Sequence, residues 1–294
     1  MNKDYLKLSD FNHDIYKGYV DLEAMTDLEL EDHYLTYGIN EGRMASNIKS
    51  SADFINQIKE KGKILEIGPL DKPKFDHTSP DYYSLDIFTK EQLLNNYLND
   101  PNVKSENIVE PSYVVSDNDY SKIDQQFKFV FSSHSIEHMP CVITFLNNLT
   151  TLISDKGMIY LIIPDKRYCF DHFKRESDIY DVLQSFYEKN TRPKLTSVLK
   201  QFNLSTHNDC VAHWKNEHGT IKSDADSLEN YHHILKEYNT GKYIDSHVSY
   251  FTPESFIHII ELLNNLKLIN LSIHKIYPTL YGSNEFYVIM KKVN

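Results

Sequence analysis

Carboxylates and a glycine stand where predicted strands end in the first half of the chain. Glu66 and Gly68 end the apolar run KILEIG, Asp86 ends YYSLDI, and Asp117 ends SYVVSD. The carboxyl ends of parallel strands meet at one edge of a sheet, where nucleotide-like ligands approach the backbone. A carboxylate at Asp86 accepts hydrogen bonds from ribose hydroxyls, and Asp117 suits an adenine amino group. We therefore expect an adenosine-containing cofactor at this edge, with Gly68 allowing a close approach that a Cβ would obstruct.

The loop after the first predicted strand limits which cofactor can bind. Pro69 follows Gly68, and the next glycine in the chain is Gly157. A dinucleotide pyrophosphate needs a G-x-G-x-x-G loop with free amides, and proline has no amide hydrogen to donate. S-adenosylmethionine has no phosphate and tolerates this loss. Ile87 at the end of the second predicted strand, and Ser133 and His134 at the end of the fourth, complete the expected cofactor site with Glu66, Gly68 and Pro69.

Three residues are candidates for proton transfer or for orienting an acceptor. His134 follows the fourth predicted strand, and an imidazole there can take the proton of a reacting hydroxyl. Asp245 and His247 alternate in DSHVS, so an extended chain places both on one face, where the carboxylate would orient the imidazole. The alternatives are a histidine that only shapes its loop and a pair that pins the chain to the last helix. Glu137 and His138 fall at the start of the next predicted helix, where a structural role is expected.

Asp245 and four further residues are candidates for contacts with the acceptor. Asp165 and Arg167 follow the fifth predicted strand, and a guanidinium there would bind a carboxylate or phosphate. An Asp–Arg pair that fixes the following segment is the alternative. His213 and Trp214 lie further along, and the tryptophan could stack on a sugar ring or belong to the core.

The cysteines do not predict a metal site or a disulfide framework. Cys141, Cys169 and Cys210 are few and scattered, as is typical of reduced thiols in a cytoplasmic protein. Cys210, His213 and His218 have the spacing C-x-x-H-x-x-x-x-H, which lacks the usual zinc spacing and a fourth ligand. We therefore expect no metal here.

The elements that must position these residues alternate between strand and helix. Short apolar runs predict strands over 63–68, 82–87, 112–117, 127–133 and 158–164, with helices over 89–99 and 136–153 and a turn at 155–157. A helix starting at Thr252 and Pro253 precedes two strands over 266–276 and 284–293, joined by a turn. This predicts an α/β fold with a mostly parallel, Rossmann-like class I methyltransferase sheet that ends in an antiparallel hairpin.

Composition restricts the classes of partner. The chain has 294 residues with 31 basic and 42 acidic side chains, a formal charge of −11. Phosphate recognition needs a basic surface, so we expect no nucleic-acid partner. The first residues lack the apolar region of a signal peptide, and the longest apolar run, MIYLII, is too short to cross a bilayer. The expected location is the cytoplasm, without a membrane span.

Most of the chain resembles one family of bacterial enzymes. The segments that carry the resemblance are EIGPL (66–70), LDI (85–87), SHSIEHM (133–139), IPDKRYCFDHF (163–173) and DSHVSYFTPESF (245–256). They are similar to segments of bacterial class I S-adenosylmethionine-dependent methyltransferases. The resemblance implies methyl transfer from S-adenosylmethionine to an acceptor that it does not name.

A second resemblance lies near the N-terminus. DLEAMTDLELEDHYLTYGINEGR (21–43) looks like a short segment joined to bacterial glycosyltransferases and other surface-glycan enzymes. It implies O-methylation of a sugar or surface-glycan precursor, and contact with a glycan-assembly partner or a second copy through residues 1–50. The alternatives are an acceptor that is a small metabolite, lipid precursor or protein, and a non-catalytic scaffold with a degenerate cofactor loop.

These observations predict two domains. Residues 1–50 form a small helical appendage, in which Thr26 and Glu29 have the spacing of a capping box and Gly38 ends the helix. Residues 51–294 form the methyltransferase domain. Within it, the polar and histidine-rich residues 165–250 form a helical insertion after strand five that acts as a lid over the sheet.

Overall fold

The structure is a computed structural model that describes residues 3–58, 62–101, 103–115, 120–221 and 224–293. Within these residues, seven strands form one sheet. In chain order they are β1 (Ile64–Ile67), β2 (Tyr82–Asp86), β3 (Tyr113–Val114), β4 (Phe127–Ser133), β5 (Ile153–Pro164), β6 (Leu271–Tyr277) and β7 (Glu285–Lys292). Their order across the sheet is β3-β2-β1-β4-β5-β7-β6, and β7 alone runs antiparallel to its neighbours. This order confirms the predicted α/β fold with a mostly parallel, Rossmann-like sheet that ends in an antiparallel hairpin.

Both faces of the central strands are buried, which is why these strands appear in the sequence as continuous apolar runs. Ile159, Leu161 and Ile163 of β5 belong to the larger core, on one face of the sheet. Tyr160 and Ile162 alternate with them and belong to a second, aromatic-rich core on the other face.

Helices cover the sheet and form the segments outside it. They are α1 (Asp4–Leu8), α2 (His13–Tyr16), α3 (Asp27–His33), α4 (Ser51–Ile55), α5 (Lys90–Asn96), α6 (Val142–Leu152), α7 (Ile179–Tyr187), α8 (Leu195–Asn203), α9 (Cys210–Trp214), α10 (Asp224–Asn239) and α11 (Pro253–Asn265). Thr26, Thr89 and Thr252 each form a capping box at the start of a helix. The sequence predicts the box at Thr26, and it places helix starts at Thr89 and Thr252.

Three predicted boundaries are wrong. The helix expected over 136–153 is interrupted by Pro140, so that a 3₁₀ turn (Ile136–His138) comes before α6. The turn expected at 155–157 is part of β5, because Ile153 already pairs with Phe127 and a bulge absorbs the extra residues. The strand expected from residue 266 starts only at Leu271.

The N-terminal residues pack against the sheet and the chain around it. The Asp10 carboxylate accepts hydrogen bonds from Lys275 Nζ and the Tyr277 hydroxyl, both at 2.7 Å. The Gly42 carbonyl accepts the Tyr281 amide at 3.0 Å. Gly38, the glycine expected to end the N-terminal helix, does not have the left-handed conformation typical of such a position. Gly42 has it instead, with φ +65°.

Gly38 has a different role, because it allows close packing inside the N-terminal helices. It lies in a π-helical turn over Tyr34–Gly38. A Cβ at this position would overlap the hydroxyl of Tyr16 and come within 2.9 Å of the Tyr34 ring. Both tyrosines are buried, so they have little room to move away.

Residues 165–250 contain α7 to α10 and return to the sheet at both ends. At the start, Asp165 forms a parallel bridge to Phe251 and the Lys166 amide donates to the Phe251 carbonyl at 2.9 Å. Near the end, the amides of Val248 and Ser249 donate to the Glu137 carbonyl at 2.7 and 3.1 Å. This segment therefore touches the edge of the sheet where β4 and β5 end.

None of the helices within the described ranges combines the length and the apolar character needed to cross a bilayer.

We predict that Gly38→Ala lowers the free energy of unfolding by about 1–3 kcal/mol, because the added methyl overpacks two buried tyrosines. Urea denaturation measures this change. Gly18→Ala is the matched control, since its Cβ would meet only the Ile15 carbonyl, at 3.2 Å, and the Asp14 carbonyl, at 4.0 Å. Equal stability of Gly38→Ala and the parent chain would contradict this packing.

Candidate functional site

The backbone turns sharply after β1, at the predicted cofactor loop. Gly68 has φ +63° and Leu70 has φ +47°, both in the left-handed region. A Cβ at Gly68 would meet only Ser135 Oγ, at 3.6 Å, so the positive φ and not crowding within the chain requires glycine. The Gly68 amide donates to the Leu85 carbonyl at 2.9 Å, which places the turn directly beside Asp86.

A cleft of about 250 Å³ opens at this turn. Four of the predicted cofactor residues line it: Glu66, Gly68, Pro69 and Ser133. The rest of its wall comes from Ile67, residues 70–72, Lys74 and Val103. The parallel register of β2, β1 and β4 brings these strand ends together, as the sequence predicts. The open space above Gly68 fits a cofactor that lies against the backbone.

Glu66 holds the cofactor loop in place from beneath. Its buried carboxylate accepts the Lys74 amide at 2.9 Å and the Tyr82 hydroxyl at 3.0 Å. Burial raises the pKa of Glu66 to about 7, against the opposing effect of these hydrogen bonds. Because both oxygens are engaged, Glu66 positions the loop between residues 68 and 74.

Asp86 ends β2 with its carboxylate half-buried. It accepts the Phe88 amide at 3.0 Å, and the Ile87 amide also favours its charged form. Burial raises the pKa of Asp86 above its ordinary value, and the same carboxylate helps to raise the pKa of the nearby Tyr97 and Tyr120. An acidic group with aromatic neighbours therefore stands at the predicted ribose position. Asp117, the predicted adenine contact, lies outside the described residues.

His134 is held in a strained backbone conformation directly after β4. Its φ is +51°, which is rare for a residue with a side chain. Nε2 lies 2.8 Å from Glu285 Oε1, and Nδ1 lies 3.6 Å from Glu137 Oε1. Burial alone lowers the pKa of His134, but the hydrogen bond to Glu285 and the two carboxylate charges outweigh it and raise the pKa. The side chain is 39% exposed, so solvent reaches part of the ring, although each ring nitrogen faces a carboxylate.

Asp245 and His247 do not form the predicted pair. Asp245 Oδ1 lies 2.9 Å from His138 Nδ1, whereas His247 Nδ1 lies 2.5 Å from Asp171 Oδ2. The extended residues 243–250 present the two side chains to different neighbours, so Asp245 orients His138 and Asp171 orients His247. Burial opposes a charged imidazole at His138, but Asp245 and Glu137 raise its pKa to about 9.

Asp171 is fixed in turn by a buried lysine. Lys174 Nζ lies 2.5 Å from Asp171 Oδ1 and donates to Gln201 Oε1 at 2.6 Å. Burial raises the pKa of Asp171, but the hydrogen bond to His247 and the Lys174 charge hold it below its ordinary value. The result is a buried chain of polar groups that runs from α8 to His247.

Asp165 and Arg167 form the structural alternative that the sequence left open. Arg167 binds the fully buried Asp165 carboxylate with Nε at 3.0 Å and Nη2 at 2.6 Å. The Thr279 hydroxyl donates to the same carboxylate at 2.8 Å. These bonds fix the start of the segment over residues 165–250 and favour a positioning role over direct contact with an acceptor.

His213 and Trp214 lie in α9, packed on other residues. Trp214 stacks on Tyr168 with ring centroids 3.8 Å apart, and its Nε1 donates to the Ser283 carbonyl at 2.8 Å. His213 is buried and its Nδ1 lies 3.1 Å from His218 Nδ1. This arrangement favours the packing alternative for Trp214.

Glu137, His138 and Asp171 lie around His247, an arrangement that sequence reasoning did not predict. The helix predicted from residue 136 assigned the first two a structural role, but they lie in a separate 3₁₀ turn and face His247. The sequence feature that could have indicated this grouping is the set of segments that resemble methyltransferases. SHSIEH, PDKRYCFD and DSH contain these three residues together with His134 and His247.

Known proteins share the fold only distantly. Neither a family model nor a curated protein matches the sequence. Similar solved structures include the CcbJ methyltransferase from Streptomyces caelestis, at 10% identity over 87% of this chain and 95% of that one, with a TM-score of 0.40. The DhpI–SAH complex is 11% identical over 89% of this chain and 90% of that one, with a TM-score of 0.40. An S-adenosylmethionine-dependent methyltransferase from Clostridium acetobutylicum is 10% identical over 85% of this chain and 93% of that one, with a TM-score of 0.43. Similarity at this level carries no argument about activity.

We predict that Glu66→Gln changes how stability depends on pH. Because the folded-state pKa of Glu66, about 7, lies above the ordinary value of 4.5, its contribution to stability is present below pH 4.5 and is lost as pH rises through 7. Glutamine keeps the acceptor for Lys74 without a charge. Between pH 6 and pH 8 the variant should gain about 1 kcal/mol relative to the parent chain in urea denaturation. A difference that does not change with pH would contradict the buried carboxyl.

Proposed function

We propose that this protein is an S-adenosylmethionine-dependent methyltransferase. The observation that carries the proposal is the cleft beside the left-handed Gly68 turn, at the edge where β1, β2 and β4 end. Ligands of open α/β sheets bind at this edge, at the point where the strand order reverses. The resemblance of five segments to class I methyltransferases supports the same assignment.

The residues around the cleft suit the parts of this cofactor. The Asp86 carboxylate would accept hydrogen bonds from the ribose hydroxyls, and Ile87 would line the same end. Gly68, Pro69 and Ser133 would line the space along the backbone, and Glu66 would keep the loop in place. When bound, the sulfonium supplies an electrophilic methyl group, so the chain mainly has to align the acceptor.

His134 is the residue we propose to take the acceptor proton. It follows β4 at the same edge, and its exposed side chain is oriented by Glu285. A carboxylate on one ring nitrogen stabilises the imidazolium that forms when the other nitrogen takes a proton from a hydroxyl. His247 is buried and held by Asp171, so we propose that it helps to orient the acceptor side of the site.

The acceptor that we propose is a hydroxyl of a sugar or surface-glycan precursor. The support is the segment 21–43, which resembles segments of surface-glycan enzymes. This segment contacts the chain near the insertion, where the Gly42 carbonyl accepts the Tyr281 amide. A glycan-assembly partner or a second copy would bind through residues 1–50.

We predict that S-adenosylhomocysteine binds the protein in isothermal titration calorimetry and that Asp86→Ala weakens binding about 10- to 100-fold, as for lost hydrogen bonds to a charged group. Asp81→Ala is the matched control, because Asp81 is exposed just before the other end of the same strand. Binding by the parent chain with equal affinity in Asp86→Ala would show that the ribose lies elsewhere. Absence of binding by the parent chain would overturn the proposed activity.

We predict methyl transfer to a sugar hydroxyl when the protein is incubated with labelled S-adenosylmethionine and a panel of nucleotide sugars, lipid-linked sugars and small metabolites. Mass spectrometry of the product identifies the methylated oxygen. Transfer to a non-sugar metabolite alone would contradict the glycan acceptor while leaving methyl transfer in place.

A further inference from the structure

Glu137 is a buried carboxylate whose oxygens have no hydrogen-bond donor among the described residues. Its side chain is 1% exposed, and both Oε1 and Oε2 lack a partner. An isolated charge in such a place is costly, and buried carboxylates are therefore paired or bind a cation. Three imidazole nitrogens lie 3.6 to 3.9 Å from Oε1, beyond hydrogen-bond distance.

Two of these imidazoles face Glu137 with the same nitrogen. His138 Nε2 and His247 Nε2 each lie 3.9 Å from Glu137 Oε1, and the three ligand atoms all lie within 4.8 Å of one another. Two ligand atoms that each lie about 2.1 Å from one tetrahedral ion are about 3–4 Å from each other. The observed separations therefore need only a small contraction around an ion.

The opposite nitrogen of each ring is held by a carboxylate. His138 Nδ1 donates to Asp245 at 2.9 Å, and His247 Nδ1 donates to Asp171 at 2.5 Å. Because an ionised carboxylate can only accept, each Nδ1 carries a proton, and Nε2 faces Glu137 as the nitrogen that a metal ion would bind after displacing any proton there. A histidine that binds a metal is usually oriented in this way by a carboxylate behind it.

The charge around this cluster also favours a cation. Glu137, Asp171, Asp245 and Glu285 bring four carboxylates close to the histidines. Lys174 contacts one of these carboxylates, Asp171, and its ammonium also donates a hydrogen bond to Gln201. Glu137 itself has no contact with a lysine or arginine among the described residues.

We propose that Glu137, His138 and His247 bind one divalent transition-metal ion, with Zn²⁺ as the ion that best suits the ligands. Two imidazole nitrogens and one carboxylate suit zinc and its neighbours, whereas Mg²⁺ and Ca²⁺ prefer oxygen ligands alone. Three protein ligands leave a position for water or an acceptor oxygen. The proposal concerns metal binding and is independent of methyl transfer.

This site differs from the segment in which the sequence predicts no metal. His172, His213 and His218 also lie together, but the rings of His172 and His218 stack 3.7 Å apart at 11°. Stacked rings cannot both direct a lone pair to one ion at tetrahedral angles. This second cluster has no carboxylate and serves as the internal control.

The test is calorimetric titration of Zn²⁺ into the full chain after dialysis against a chelator. We expect one equivalent to bind, Mg²⁺ to compete poorly, and the thermal midpoint to rise with zinc. Glu137→Gln should weaken zinc binding about 100-fold or more, and Asp171→Asn about 10- to 100-fold, as is usual for the loss of an orienting carboxylate. His218→Ala should bind zinc like the parent chain. Co²⁺ in place of zinc adds a visible absorption band that depends on the ligands.

Three results would overturn the site. They are no saturable zinc binding by the parent chain, unchanged affinity in Glu137→Gln, and loss of binding in His218→Ala with retention in Glu137→Gln. Circular dichroism reports whether Glu137→Gln folds. If it does not, His138→Gln replaces it, because that side chain is partly exposed at the cluster's edge, and the same outcomes apply.

Discussion

The parallel register of β2, β1 and β4 is the constraint on which the candidate site depends. It aligns three strand ends, so that the Gly68 turn, Asp86 and His134 stand along one edge of the sheet although they are far apart in sequence. The bond from the Gly68 amide to the Leu85 carbonyl fixes the turn beside Asp86. The Glu66 carboxylate accepts the Lys74 amide and so holds the loop between residues 68 and 74 in place.

The segment over residues 165–250 brings a second set of groups to the same edge. Its start is fixed by the Asp165–Arg167 pair, and its end is fixed by the Glu137 carbonyl, which accepts two amides from residues 248 and 249. These anchors set Asp171, Asp245 and His247 against the chain that follows β4. An open cleft and a carboxylate–imidazole cluster thus lie on neighbouring parts of one sheet edge.

The fold could be predicted from the sequence because it rests on local patterns. Apolar runs buried on both faces mark the strands, and Thr89 and Thr252 mark helix starts. The partners in the site could not be predicted in this way. Asp171 and His247 are 76 positions apart, so only the path of the chain between them decides that this carboxylate, and not Asp245, holds His247. The spacing in DSH shows that two residues share a face but not what each one meets.

A crystal structure of the protein with S-adenosylhomocysteine tests the central claim most directly. The account predicts the adenosyl group across the carboxyl ends of β1 and β2, with both ribose hydroxyls within hydrogen-bond distance of the Asp86 carboxylate and the sulfur directed toward His134. A ligand bound away from the Gly68 turn, or a cleft filled by its own side chains at saturating ligand, would contradict the account.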